Sequence, residues 1–173
     1  MDDPFATLGV PRRFDLPRKE VEQRHRDLSR ALHPDRFVNA APAERRVALE
    51  RAVSVNDAWR ALRDPLTRAT ALLRLNGVTI EDGDRAPAAL LMDIMELREA
   101  LDDAKGDAAR VAPLRAKVQS RVDVAYALLS EVFAVDAPAL DALAKARDAV
   151  VSLKYLTRFL EEADASEDTD GTP

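Results

Sequence analysis

Arg26-Asp-Leu-Ser-Arg-Ala-Leu-His-Pro-Asp-Arg-Phe37 is the stretch on which the reading of this chain turns. Upstream of its middle, Val21, His25, Leu28 and Leu32 recur at helical spacing, with Arg24, Arg26 and Arg30 among them. The segment therefore reads as a basic amphipathic helix. Pro34 has no backbone N–H and disfavours helical geometry at the residue before it, so the helix stops near His33. His33-Pro34-Asp35 is thereby held on a loop between two helices. No nucleophile or metal-ligand set accompanies the triplet, and it reads as a contact for another protein rather than as a catalytic pair.

Outward from the loop, Asp15 and Pro17 mark the start of the first long helix, and Pro42 opens a second. Ala48, Ala52, Val55, Trp59 and Leu62 give the second helix a continuous apolar stripe. Two such helices joined by a short loop pack antiparallel, stripe to stripe. Phe5, Leu8 and Val10 are placed to cover one end of the pair. Asp64 caps a further helix beginning at Pro65 and finishing at Asn76-Gly77. Residues 77–86 carry two glycines and three acids and read as a linker. A second helical set follows at about 87–105, 107–134 and 137–164, broken at Gly106-Asp107 and restarted by Asp136 and Pro138. Pro113 lies too deep for a first-turn proline, so a kink or restart is expected there. Residues 165–173 read as a disordered acidic tail.

Composition supports an all-α class. Hydrophobic residues are 47% of the 173 and aromatics only 5%, so aliphatic side chains on helices supply the core. Val78-Thr79-Ile80 is too short to carry a sheet. Cysteine is absent, which removes disulfides, thiolate ligands and a cysteine nucleophile together. The opening Met1–Phe5 has neither the basic start nor the apolar run of a secretory signal, and a cytoplasmic location is expected. Up to residue 76 the chain holds 15 Lys/Arg against 11 Asp/Glu, and beyond it 11 against 20, nets of +4 and −9. The split suggests two modules with different partners. The mild, acid-interleaved basic charge lacks an aromatic platform and argues against nucleic acid.

The segment 26–37 resembles the second helix and loop of J-domains, the modules that activate DnaK-type chaperones. Val55-Asn-Asp-Ala-Trp-Arg-Ala-Leu-Arg-Asp-Pro-Leu-Thr-Arg-Ala69 resembles the end of their third helix, and Pro4-Phe-Ala-Thr-Leu-Gly-Val10 their first. The resemblance implies a J-domain over 1–76, with His33, Pro34 and Asp35 docking on the chaperone's ATPase domain and Arg26, Arg30 and Arg36 assisting. General J-domains often carry Lys or Arg where Asp27 and Ala31 stand, and Tyr where Leu32 stands. The thinner basic face suggests a dedicated chaperone. This chain has no phosphate-cradling glycine loop and is expected to bind no nucleotide.

In the second module, Leu90, Ile94, Leu97 and Leu101 form an ordinary core stripe. A second strip holds Leu91, Met92 and Met95, bordered by Glu96 and Glu99. Periodicity leaves two readings open: an exposed binding surface, for which methionine's adaptable side chain is suited, or burial in a wide core. Tyr155, Phe159 and Val151 line the last helix and read equally as packing between modules or as cargo contact.

Leu90-Leu-Met-Asp-Ile-Met-Glu-Leu-Arg-Glu-Ala-Leu101 resembles the "LMEQLELREEL" segment of HscB co-chaperones of iron–sulfur cluster assembly, with Ile94, Met95 and Ala100 as departures. The resemblance implies a three-helix bundle over 87–164 in an L-shaped arrangement with the J-domain. It implies that Leu91, Met92, Met95, Glu96, Glu99 and Tyr155 bind the IscU-type scaffold while an HscA-type chaperone is activated. The chain then reads as an ATPase activator rather than an enzyme, with no cofactor, metal or membrane. The alternative is a co-chaperone of a general DnaK-type chaperone with another client.

Overall fold

A computed structural model describes residues 3–81 and 83–168, and no strand occurs among them. Helices follow in the order α1 (Pro4–Leu8), α2 (Arg18–Ala31), α3 (Pro42–Arg63), α4 (Pro65–Leu75), α5 (Ala88–Asp103), α6 (Ala108–Val132) and α7 (Leu140–Asp168). A 3-10 turn spans Pro34–Phe37 between α2 and α3. Pro4, Pro42 and Pro65 each open a helix, where a missing N–H costs no hydrogen bond. Asp64 ends α3 and caps α4, its carboxylate accepting the Thr67 N–H at 3.0 Å. Asp107 caps α6 in the same way, accepting from Ala109 and Arg110 at 3.1 and 3.3 Å. α4 closes as expected: Gly77 adopts φ +79° and the Val78 N–H returns to the Leu73 carbonyl at 2.9 Å.

Four local expectations need correction. Pro17, not Asp15, stands at the cap position of α2 and supplies no side-chain cap, while the charge of Asp15 acts on Arg68 instead. α7 begins at Leu140, later than Asp136 and Pro138 would place it. No restart occurs at Pro113, which lies inside an unbroken α6. Pro113 and Ala109 are both exposed, so water can satisfy the Ala109 carbonyl that loses its partner. Finally, α7 carries helix on to Asp168, through the start of the segment read as a disordered tail. Residues 169–173 lie outside the described part.

The chain divides into two units, one running to Thr79 and taking in Phe133–Ala137, the other formed by Ile80–Val132 and the chain from Pro138. In the first, α2 and α3 pack as a hairpin, with α1 and α4 against α3. Phe5, Leu8, Val21, Val55, Leu62, Leu72 and Leu73 fill its core. In the second, α6 and α7 make the main pair and α5 lies on both. The segment read as a linker is split between the units, and its later part is held by an Arg147–Asp84 ion pair at 2.6 Å.

Ion pairs give the second unit its register. α5 and α6 run antiparallel, since Arg121 meets Asp93 at 2.9 Å while Arg110 donates to the Asp103 carbonyl at 2.8 Å, and α7 returns along α6 after the short connection 133–139, with Arg115–Asp164 at 2.7 Å between them. Arg98 grips Glu162 through two hydrogen bonds of 2.8 and 2.9 Å, and Leu101 to Lys105 lie beside Ala165 and Ser166, so α5 and α7 run parallel. The core between them centres on Ile94, Leu97, Val118, Leu129, Val150, Leu153 and Phe159. Phe159 is 0% exposed, and Phe159→Ala is expected to cost about 3–5 kcal/mol through the lost contacts and the cavity left behind. Thermal unfolding followed by circular dichroism measures it; a loss below about 1 kcal/mol would mean that the neighbours collapse into the space.

No helix among the described residues is long and apolar enough to cross a membrane.

Candidate functional site

The first candidate face is the end of α2. The Leu32 N–H still bonds back to Leu28 at 3.0 Å, and then His33 turns to an extended backbone, φ −61° and ψ +134°, as Pro34 dictates. His33 caps the 3-10 turn that follows: its Nδ1 accepts the Asp35 N–H at 3.3 Å, and its carbonyl accepts the Arg36 N–H at 3.0 Å. Asp35 Oδ2 stands 3.4 Å from the same Nδ1. The side chains of His33 and Asp35 are 59% and 85% exposed. The loop therefore holds its shape by local backbone bonds and presents an imidazole and a carboxylate outward.

The arginines beside the loop are not equivalent. Arg26 lies 3.9 Å from Glu22 and donates to Gln23 Oε1 at 2.9 Å. Arg30 and Arg36 are exposed and enter no ion pair among the described residues. They are the cations left available next to Asp35.

Behind the face, His25 stacks on Trp59 with ring centroids 4.7 Å apart and an interplanar angle of 17°, and its Nε2 lies 2.9 Å from Asn56 Oδ1. The Arg63 guanidinium sits 4.6 Å from the centroid of the Trp59 ring. This stack joins α2 to α3, so His25 is a packing residue. Arg68 is the residue that sequence reasoning missed. It is 5% exposed and donates to the carbonyls of Leu62, Phe14 and Leu16 at 2.9, 2.7 and 3.2 Å. Burial lowers its pKa, and the carboxylates of Asp64 and Asp15 oppose that shift. Only an unpaired-looking arginine inside an apolar stretch (Ala69, Ala71, Leu72, Leu73 follow it) could have signalled the role.

The second candidate face lies on α5. Ile94, Leu97 and Leu101 point into the bundle, while Met92 and Met95 are 65% and 70% exposed, with Glu96 and Glu99 exposed beside them. The alternative of a wide core that buries both strips is thus excluded for the methionines; Leu91 is half-buried. Leu91 precedes Arg98, and Tyr155 precedes Glu162, by two helical turns each. Positions so spaced share a face, so the parallel register fixed by Arg98–Glu162 sets Tyr155 level with Leu91. Tyr155 is half-buried, whereas Val151 and Phe159 are buried and leave no surface for a ligand. Leu91 and Tyr155 thus stand level, while Met92, Met95, Glu96 and Glu99 follow round the exposed side of α5. Among the described residues no group of three or more His, Asp or Glu is placed to hold a metal ion.

The arrangement as a whole has close relatives. A family model described as the HSCB C-terminal oligomerisation domain matches residues 86–164. The co-chaperone protein HscB homolog of Bordetella pertussis is 44% identical over 120 residues, 68% of this chain and 71% of that protein. The homolog of Bordetella petrii is 43% identical over 119 residues, 68% and 70% of the two chains. Among solved structures, the chaperone HscB from Vibrio cholerae matches with a TM-score of 0.82 at 30% identity, covering 98% of this chain and 99% of that one. The human co-chaperone HscB shares the fold at 24% identity, with a TM-score of 0.81 over 96% of this chain and 83% of its own. With two thirds of its length matched at such identity and nearly all of it in fold, the chain belongs to the HscB family of co-chaperones, the J-domain proteins of iron–sulfur cluster assembly.

Proposed function

We propose that the α5 face holds an IscU-type iron–sulfur scaffold while the His33-Pro34-Asp35 loop docks on an HscA-type chaperone and stimulates its ATP hydrolysis. The observation that carries the scaffold half is the exposure of Met92 and Met95 on a helix whose opposite face is fully packed. Large apolar side chains left in water on a well-packed element favour a partner, and methionine adapts to an irregular one. Glu96 and Glu99 add charge selection at the rim. The chemistry belongs to the chaperone; this chain contributes binding and timing. Holding cargo beside the chaperone raises its effective concentration, so capture becomes nearly intramolecular. Pro34 stiffens the loop, which reduces the entropy lost on docking, and Asp35 offers a carboxylate to an arginine or backbone N–H of the partner. The reading places the protein in the cytoplasm with both partners.

Calorimetric titration of the IscU-type scaffold into this protein is the test, with Met92→Ala/Met95→Ala alongside. The wild type is expected to bind at micromolar affinity or tighter, and the double variant to lose at least about tenfold while keeping its helical circular dichroism. Equal binding by the two proteins would remove this face from the scaffold site, and no heat from the wild type would remove the scaffold itself.

A further inference from the structure

Sulfur is rare in this chain and gathered in one place. There is no cysteine, and of the three methionines only Met92 and Met95 lie among the described residues. They stand three positions apart on α5, so they share one face of the helix, and they are 65% and 70% exposed. Cores commonly use methionine as adaptable filling, yet no methionine is buried among the described residues. Ile94, Leu97 and Leu101 carry the packing of α5, and hydrocarbon side chains do not react with peroxide. A change confined to the two thioethers would therefore alter the surface and leave the bundle intact.

Hydrogen peroxide makes such a change. The thioether sulfur attacks one peroxide oxygen, an S–O bond forms as the O–O bond breaks, and water leaves; sulfur is oxidised by two electrons and peroxide is reduced. No thiolate in this chain competes for the oxidant. The product is a polar sulfoxide that accepts hydrogen bonds, and on the free protein water supplies them. Against an apolar partner surface that water is lost, and the new oxygen is buried without a donor. The face itself offers no replacement. Glu96 and Glu99 border the pair, and carboxylates accept rather than donate, while the Arg98 guanidinium is committed to Glu162. The exposure that admits peroxide also admits a repair enzyme.

We propose that Met92 and Met95 form a reversible oxidation site: peroxide converts both thioethers to sulfoxides and the face releases its scaffold. A methionine sulfoxide reductase then restores the face, a dithiol giving a disulfide and water as the S–O bond breaks. The inference rests on the scaffold reading above. The test treats the full chain with hydrogen peroxide, removes the oxidant with catalase, and titrates in an IscU-type scaffold that has never met peroxide. Peptide mass spectrometry is expected to find one added oxygen on each of Met92 and Met95, with helical circular dichroism unchanged. Scaffold affinity should fall at least about tenfold and return after the two reductases that serve the two sulfoxide epimers. Met92→Leu/Met95→Leu, which keeps Met1 as a control sulfur, should bind equally before and after peroxide. Unmodified methionines, undiminished affinity of the oxidised wild type, an equal loss in the leucine variant, or repaired sulfur without restored affinity would each overturn the inference. Binding by the untreated wild type leaves the scaffold reading standing in all four cases. An untreated wild type that takes up no scaffold would end that reading, and this inference with it.

Discussion

Asp35→Asn is expected to abolish stimulation of the chaperone's ATPase, by at least about tenfold, with no change in helical content or unfolding midpoint. The side chain is 85% exposed, so the substitution removes a charge from the surface rather than a support from the fold. The turn itself is held by the Asp35 backbone N–H on His33 Nδ1 and by the Arg36 N–H on the His33 carbonyl, and both bonds survive the change. Asparagine keeps the shape of the carboxylate and loses its charge, and a buried charge-assisted bond that loses one member leaves the other uncompensated. Single-turnover hydrolysis at saturating co-chaperone is the measurement. Wild-type rates with the variant would show that the tripeptide is merely the end of a helix.

Arg68→Met should destabilise the N-terminal unit by about 3–5 kcal/mol, a large part of the 5–15 kcal/mol that holds an ordinary domain. Methionine replaces the aliphatic stem but leaves the carbonyls of Leu62, Phe14 and Leu16 buried without a donor, and each orphaned acceptor costs about 1–3 kcal/mol before relaxation. The charge is not the stabilising element. Burial makes the protonated guanidinium less favourable in the fold than in water, and the carboxylates of Asp64 and Asp15 reduce that cost. What the arginine supplies is geometry: one planar fork joins the end of α3 to the loop that leads into α2. Trp59 is the only tryptophan and lies in the same unit, so urea unfolding followed by its fluorescence reports on this unit selectively. A midpoint shift equivalent to less than about 1 kcal/mol would mean that water reaches the three carbonyls.

Much of this was legible in the order of residues because it depends on short-range rules. Pro34 ends α2 wherever the helix packs, and Pro42, Pro65, Asp64 and Gly77 mark boundaries through their own backbone chemistry. The spacing of Leu90, Ile94, Leu97 and Leu101 identified the inward stripe for the same reason, since periodicity is a property of a single helix, although Leu90 near the helix start is only half-buried. Such signals fade where two of them compete. Pro113 reads as a breaker, yet a long, well-packed α6 absorbs one missing hydrogen bond on its wet side. Asp15 and Asp136 resemble caps but lie too far ahead of the helices they were expected to start.

What periodicity could not settle was which of two apolar strips on α5 meets water. That depends on how many neighbours a helix has. α6 and α7 cover one side of it, and Met92 and Met95 fall on the other. Nor could spacing along the chain bring Tyr155 level with Leu91, because their register is set by Arg98 and Glu162, distant in sequence and joined only in the folded bundle. The buried role of Arg68 and the inclusion of Phe133–Ala137 in the first unit have the same origin. Sequence by itself determined the helices, their ends and the loop that carries the tripeptide, since each follows from local backbone chemistry. Tertiary structure alone decided which side chains are left facing water and which buried groups must find partners, because burial is a property of surfaces that meet and not of any one segment.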